Sequence, residues 1–268
     1  MSQQDAVFSG SIPALYDANI GPTMMIPYAR DLAARLAAMR TGRLLETAAG
    51  TGIVTSALVA ALPGVDIVAT DLNQPMLDHA AGKPELAKVR FQQADAADLP
   101  FADDSFDAVV CQFGAMFFPD RSAAFRETRR VLKPGGRFVF NVWDSVEDNP
   151  MVAAVLAGLS RRYPRQTSWF MERTPCGYRD RDIIRADLAA AGFDDCRIER
   201  VALRGHAISA MMPAIGLCQG SPMRAEIEAL DPAGLEAATE AAARAVAARL
   251  GDGPFETELA ALVIETAR

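Results

Sequence analysis

The chain reads as an α/β protein built on a doubly wound, mostly parallel sheet, and three observations predict this. An apolar strand over 43–47 runs into the small-residue turn Ala48-Ala49-Gly50-Thr51-Gly52, and a helix follows from Ile53. Strand and helix patterns then alternate as far as Val142. Acids stand at the ends of the first three strands, at Glu46, Asp71 and Asp95. Parallel strands joined by helices must cross over right-handed, which leaves a doubly wound sheet as the economical arrangement.

Each element has its own signal. Residues 13–40 look helical, punctuated by Pro13 and Pro22, with apolar residues at helical spacing over 29–39. Helices are expected over 53–61 and 74–81, the latter opening with Pro75 in its first turn. Strands two and three fall at 66–70 and 89–93. Strand four, 106–112, is an apolar run suited to a strand covered on both faces. A helix over 121–131 leads to the tight turn Lys133-Pro134-Gly135-Gly136 and to strand five at 137–142. Beyond Trp143 the pattern changes to a helix at 151–163, an aromatic-rich loop at 168–178, a helix at 180–191 and a strand at 196–203. Residues 207–257 are rich in Met, Pro and Ala, with a long helix at 235–250, and a last strand is expected at 259–266.

Composition bounds the function. At 268 residues and 50% hydrophobic content, the chain can build a large core. A net charge of −7 argues against a general nucleic-acid surface, which needs clustered Lys and Arg. Arg161, Arg162 and Arg165 read as a solvated helix end. No apolar run approaches the ~20 residues of a membrane span, so no membrane insertion is expected. The Met1-Ser2-Gln3-Gln4-Asp5 start shows no secretory signal. Cys111, Cys176, Cys196 and Cys218 are widely spaced and read as reduced thiols of a cytoplasmic protein. His79 and His206 are the only histidines, and their spacing suggests no metal site.

The chemistry sits at the strand ends. Gly50 and Gly52 allow a ligand to approach the backbone, and the helix start at Ile53 favours an anionic group. A carboxylate at Asp71 can accept both hydroxyls of a ribose diol, while Asn73 suits the following helix cap and leaves Asp71 free. Asp95 can accept from an adenine amino group, with the Ala96 N–H as a donor to the ring. A dinucleotide-linked dehydrogenase shares the glycine turn and the acid, but the short-chain type needs Tyr followed four residues later by Lys. Here Tyr16, Tyr28, Tyr163 and Tyr178 are followed at that spacing by Ile20, Leu32, Thr167 and Asp182.

The segments Leu-Leu-Glu-Thr-Ala-Ala-Gly-Thr-Gly (44–52), Val-Ala-Thr-Asp-Leu-Asn (68–73), Gln-Ala-Asp-Ala-Ala-Asp-Leu-Pro-Phe-Ala-Asp-Asp-Ser-Phe-Asp (93–107) and Val-Leu-Lys-Pro-Gly-Gly-Arg-Phe (131–138) resemble the core of the class I S-adenosylmethionine-dependent methyltransferases. The ubiquinone/menaquinone C-methyltransferase branch is the most similar one. Residues 180–193, ending Ala-Gly-Phe, also suit the family. The resemblance implies a seven-stranded sheet of order 3-2-1-4-5-7-6 with the last strand antiparallel. The pattern along the chain divides it into an N-terminal helical cap at 1–42, a methyltransferase core at 43–206, a helical lid at 207–257 inserted between the last two strands and a final core strand at 258–268. The resemblance also implies roles. Glu46 would sit beneath the methionine amino group through water. Ala48, Gly50 and Gly52 would line methionine and ribose. Asp71 would take the ribose hydroxyls, and Leu72 and Met76 would pack on the adenosine. Asp95 and Ala96 would read the adenine edge, and Gln112 would face the methyl-donating centre with Phe113 beside it. The chain departs from the family at Ala48, where glycine is usual. Gly50 and Gly52 remain, so binding is expected. Asp107 matches a family position, but strand-end packing is its expected role.

The expected function is transfer of a methyl group from S-adenosyl-L-methionine to a small apolar or aromatic acceptor, with no metal. The alternative is a catalytically inactive cofactor-binding protein acting as a partner or sensor. The acceptor pocket is expected from Tyr16, residues 22–28, 113–118 and 169–171, and Met211 and Met212. Should the acceptor need a base, Tyr16, Tyr28, Tyr178 and His206 are candidates by type. The sequence leaves open a homodimer through 207–257.

Overall fold

The computed structural model describes residues 8–268. The N-terminal start read above for a leader lies outside the described residues. Helices and strands alternate as expected from β1 (Gly42–Glu46) through α3 (Ile53–Ala61), β2 (Val65–Asp71), α4 (Gln74–Ala81), β3 (Arg90–Gln93), β4 (Phe106–Gln112), α5 (Arg121–Val131) and β5 (Leu132–Trp143). Ahead of them lie α1 (Ile12–Leu15), a π-helix (Tyr16–Met25) and α2 (Ile26–Arg35). After them come α6 (Pro150–Arg162), α7 (Phe170–Arg173), α8 (Arg181–Ala190), β6 (Cys196–Ala207), α9 (Met211–Gln219), α10 (Met223–Leu230), α11 (Leu235–Leu250) and β7 (Phe255–Ala267). The strands form one seven-stranded sheet of order β3-β2-β1-β4-β5-β7-β6. Strands β1 to β5 pair in parallel, and β7 runs antiparallel to β5. The expected sheet order and the reversed last strand are both present.

Contacts divide the chain into two compact units. The sheet unit comprises 28–143, 178–201 and 261–268. Its core joins Leu32 of α2, Leu36 just beyond it, Leu44 of β1, Val54 and Leu58 of α3, Ile67 of β2, Val110 of β4 and Val139 of β5, all buried. These positions alternate along the strands and recur at helical spacing along the helices, so period two meets period 3.6 on one apolar face. Arg35 ties this unit together at the end of α2. Its guanidinium donates to Asp31 and Glu265 at 2.7 Å each and to Glu199 at 3.2 Å, and Arg137 donates to Glu265 at 2.7 Å.

The helical unit comprises the described residues up to 27, with 144–177 and 202–260. In it α6 packs along α11, and α11 along α9. Asn149, wholly buried ahead of α6, donates to the carbonyls of Ser145 and Ala260 and accepts from the Ala260 N–H. The sequence division kept 144–206 with the core, whereas the structure groups 144–177 and 202–206 with the inserted helices. The Asn149 bonds and the α6–α11 packing are the reason.

Three local expectations change. The Lys133-Pro134-Gly135-Gly136 turn does not precede strand five but rides within it: Phe106 pairs with Leu132, and the register then shifts so that Ala108 pairs with Arg137. Asp107 accounts for the bulge. Both of its oxygens accept from the Lys133 ammonium at 2.8 Å, and one accepts from the Arg43 N–H at 2.8 Å. Asp107 is thus a strand-end packing residue, as expected. Partial burial works to raise its carboxyl, but these partners hold it below the usual range. The aromatic-rich stretch at 168–178 contains the short helix α7, with Trp169, Phe170 and Met171 buried in the helical unit. The expected helix at 13–40 includes ten residues of π-helix. Pro22 cannot donate within it, and Thr23 donates its hydroxyl to the Asn19 carbonyl at 2.6 Å.

Candidate active site at the carboxyl ends of the strands

The carboxyl ends of β1, β2 and β4 gather the predicted residues within the sheet unit. Glu46, the last residue of β1, is 1% exposed. The Thr55 hydroxyl donates to Glu46 Oε2 at 2.7 Å, from two residues into α3. Burial pushes the Glu46 carboxyl up to about 8, against the pull of the Thr55 bond, and the Asp71 charge raises it further. The turn then folds back on itself, and the Gly52 N–H donates to the Ala49 carbonyl at 3.0 Å. Gly52 caps α3 at φ +78, and a Cβ there would lie 2.8 Å from Leu86 and 3.0 Å from Ala80. Only glycine suits both the backbone and the space.

Asp71 ends β2, buried, and its two oxygens are both engaged. Oδ2 accepts from the Gly50 N–H at 2.8 Å and Oδ1 from the Asn73 N–H at 2.8 Å. The sequence left Asp71 free and gave the cap to Asn73. Asn73 does occupy the cap position of α4, but its side chain makes no capping bond. Asp71 therefore braces the glycine turn. Oδ1 also accepts from the Asn73 side-chain amide at 3.4 Å, so of a carboxylate's about four acceptor sites one remains, on Oδ2, for a ligand. Burial raises the Asp71 carboxyl while the Asn73 and Gly50 N–H groups oppose the shift. Leu72 beside it is 53% exposed, an apolar side chain held out at the strand end. Met76 is buried in α4, its Cε 3.5 Å from where a Cβ on Gly50 would lie.

Asp95 lies two residues beyond the end of β3, exposed, and accepts from the Ala97 N–H at 2.8 Å. Ala96 between them is half-buried. Gln112 ends β4 in register with Asn141 of β5 and is half-buried. Phe113 follows in the left-handed region at φ +50, a conformation that costs a non-glycine residue about 1–2 kcal/mol. Its N–H donates to Asn141 Oδ1 at 2.9 Å and to the Asn141 carbonyl at 3.2 Å. The Phe113 ring stacks on Trp143 at 3.8 Å, and Tyr28 meets both rings edge-on at 5.3 and 5.5 Å.

Ala48, the departure from the family pattern, also has a left-handed backbone, at φ +53. Its methyl is seated against Gly114, where a Cβ would come within 2.4 Å of it. Asp71 with a spare acceptor site on Oδ2, the Gly50 backbone and the exposed Leu72 fit a ligand with a diol, an anionic or zwitterionic tail and a flat apolar base.

Two base candidates are already committed. The wholly buried Tyr28 donates its phenol to the Val201 carbonyl at 2.9 Å, and Tyr178 donates to Asp187 at 2.8 Å. Tyr16 is half-buried and His206 exposed, both in the helical unit. Thr55 and Asn141 were missed in the sequence. The one available signal was a lone polar residue inside an apolar run, as in Phe138-Val139-Phe140-Asn141-Val142-Trp143. Among the described residues no group of His, Cys, Asp and Glu is placed to hold a metal ion, and no helix is long and apolar enough to cross a membrane.

Sheet order, glycine turn and strand-end acids define the class I methyltransferase fold. Residues 45–140 match the methyltransferase domain family. The chain is 47% identical over 100 residues to the demethylmenaquinone methyltransferase of Clavibacter sepedonicus, covering 36% of this chain and 39% of that protein. It is 39% identical over 139 residues to the ubiquinone/menaquinone biosynthesis C-methyltransferase UbiE of Syntrophotalea carbinolica, covering 49% and 56%. The chain thus spans about half or less of the length of these relatives. In fold it is similar to a phosphoethanolamine N-methyltransferase 2 of Haemonchus contortus, solved with S-adenosylhomocysteine, with a TM-score of 0.62 at 16% identity over all of this chain and 61% of that one. Residues 45–140 thus carry a methyltransferase-domain match, and over this stretch the chain is similar to the S-adenosylmethionine-dependent methyltransferases, ubiquinone/menaquinone C-methyltransferases among them.

Proposed function

We propose that this chain binds S-adenosyl-L-methionine and moves its methyl group to a small, apolar or aromatic acceptor of the quinol type. The observation that carries the reading is Asp71, whose carboxylate pins the Gly50 N–H of the glycine turn while Oδ2 keeps an acceptor site for a ribose hydroxyl. Glu46 would hold the amino group through water, and Ala48, Gly50 and Gly52 would border the methionine and ribose. Leu72 and Met76 would pack on the adenosine, and Asp95 and Ala96 would read the adenine edge. Gln112 and Phe113 would border the reacting centre. When bound, S-adenosylmethionine supplies a methyl group on a sulfonium, which is its own leaving group. The protein's part is to align acceptor and methyl at ~3–3.5 Å and to exclude water. The bond to the acceptor forms as the carbon–sulfur bond breaks, the electron pair stays on sulfur, and the acceptor's proton leaves to solvent or a base. An acceptor as acidic as a quinol needs little help with that proton. The quinol class is supported by the two quinone-methylating relatives.

The test is turnover. Protein, S-adenosylmethionine and reduced naphthoquinols or benzoquinols unsubstituted at the acceptor carbon should yield methylated quinol and an equal amount of S-adenosylhomocysteine. A folded protein that binds S-adenosylhomocysteine yet turns over none of these, nor simple phenols, would be the catalytically inactive binding protein.

A further inference from the structure

Among the described residues, three outside glycine have a positive φ: Ala48, Asp104 and Phe113. Ala48 and Phe113 follow the ends of β1 and β4, which are neighbours in the sheet. Strained backbone of this kind gathers where a site demands a fixed shape. Two things hold Phe113 there: the Asn141 side-chain and main-chain oxygens, which take its N–H, and the stack of its ring on Trp143.

Asn141 is a costly choice for this place. It is 0% exposed inside an apolar run, and its Nδ2 has no hydrogen-bond partner among the described residues. A leucine would fill the position without leaving a buried donor unsatisfied. What leucine lacks is the side-chain oxygen, the nearer of the two that take the Phe113 N–H. The consequence lies one residue on. Gly114 turns its bare backbone onto the glycine turn, where a Cβ would lie 2.4 Å from the Ala48 methyl and 2.7 Å from the Cys111 sulfur. The left-handed turn at Phe113 sets that approach.

We propose that Asn141 is a positioning residue for the methyl-donor site: by clamping the Phe113 N–H it seats Gly114 on Ala48 and so fixes the glycine turn against the end of β4. The proposal rests on the cofactor reading above. Ala48 then departs from the family glycine without blocking the site, because its methyl is taken up by Gly114.

The test compares wild type, Asn141→Leu and Asn141→Asp. Calorimetry gives S-adenosylhomocysteine affinity, and tryptophan emission is read in a Trp169→Phe background, where Trp143 is the sole reporter. The leucine variant, folded and melting cooperatively, is expected to bind about tenfold or more weaker and to shift Trp143 emission as Phe113 leaves it. The aspartate variant keeps an oxygen at the same place and is expected to restore both. A purely structural role would lower the melting temperature and leave the affinity and emission of the folded protein unchanged, and that result overturns the proposal. Should the leucine variant not fold, Asn141→Ser, whose oxygen falls short of the Phe113 N–H, is read by the same two signals. Failure of wild type itself to bind S-adenosylhomocysteine would overturn the cofactor reading, and this proposal with it.

Discussion

Burial pushes the Glu46 carboxyl up to about 8, and the Asp71 charge adds to the shift. The unfolded carboxyl titrates near ~4.3. The folded state therefore holds this proton more tightly, and the Glu46 contribution to stability is full below the unfolded pKa and lost as pH rises through about 8. Thermal melts of the free protein from pH 5 to pH 8 should show this decline, and Glu46→Gln should flatten it. A ligand ammonium near Glu46 favours the ionised form, so binding should release a proton and tighten as pH rises toward 8. Calorimetry in buffers of different ionisation heat measures that proton; if none is released, Glu46 does not serve the ammonium. Glu46, Asp71 and the glycine turn were legible in the sequence because acid and turn sit together at a strand end. Thr55 and Asn141 were not, since each acts on a partner that only the fold brings near. Thr55 reaches back nine residues to Glu46, and Asn141 reaches 28 residues across a parallel strand pair to Phe113.

At the scale of elements, α2 is fastened to the sheet by the Arg35 guanidinium, shared among Asp31, Glu199 and Glu265. Its side chain is 15% exposed, and losing it removes the Asp31 pairing and leaves the part-buried Glu265 to Arg137 alone. Arg35→Met should cost about 2–4 kcal/mol in denaturant unfolding. It should leave cofactor affinity unchanged, since the Arg35 guanidinium bonds to Asp31, Glu199 and Glu265 and not to Glu46, Asp71 or the glycine turn; a large loss of affinity would mean α2 also shapes the site. Helix and strand periodicity made α3, α4, β4, α5 and α11 readable to the residue. The bulge at Lys133 to Gly136 was not readable, because it depends on Asp107 drawing Lys133 toward the next strand. The π-helix was equally hidden: Pro22 signals only a break in ordinary helix, and the Thr23 bond that accommodates it is a property of the folded turn.

For the whole molecule, the glycine turn and acids belong to one compact unit, and residues 45–140 of that unit carry the family match. Ligand binding should therefore stabilise the chain by mass action. S-adenosylhomocysteine at ~100 times its dissociation constant should add about 2.7 kcal/mol, seen as a rise of several degrees in melting temperature, while NAD and NADP should add nothing. A shift with NAD alone would favour the dinucleotide reading instead. The most direct test of the central claim is calorimetric titration of the wild-type protein with S-adenosylhomocysteine, beside Asp71→Ala. One-to-one binding in wild type, lost or weakened at least a hundredfold in a folded Asp71→Ala, is the predicted result, because the variant loses both the ribose acceptor and the brace on Gly50. A folded wild-type protein that binds no S-adenosylhomocysteine, or an Asp71→Ala variant that binds it equally well, would contradict it.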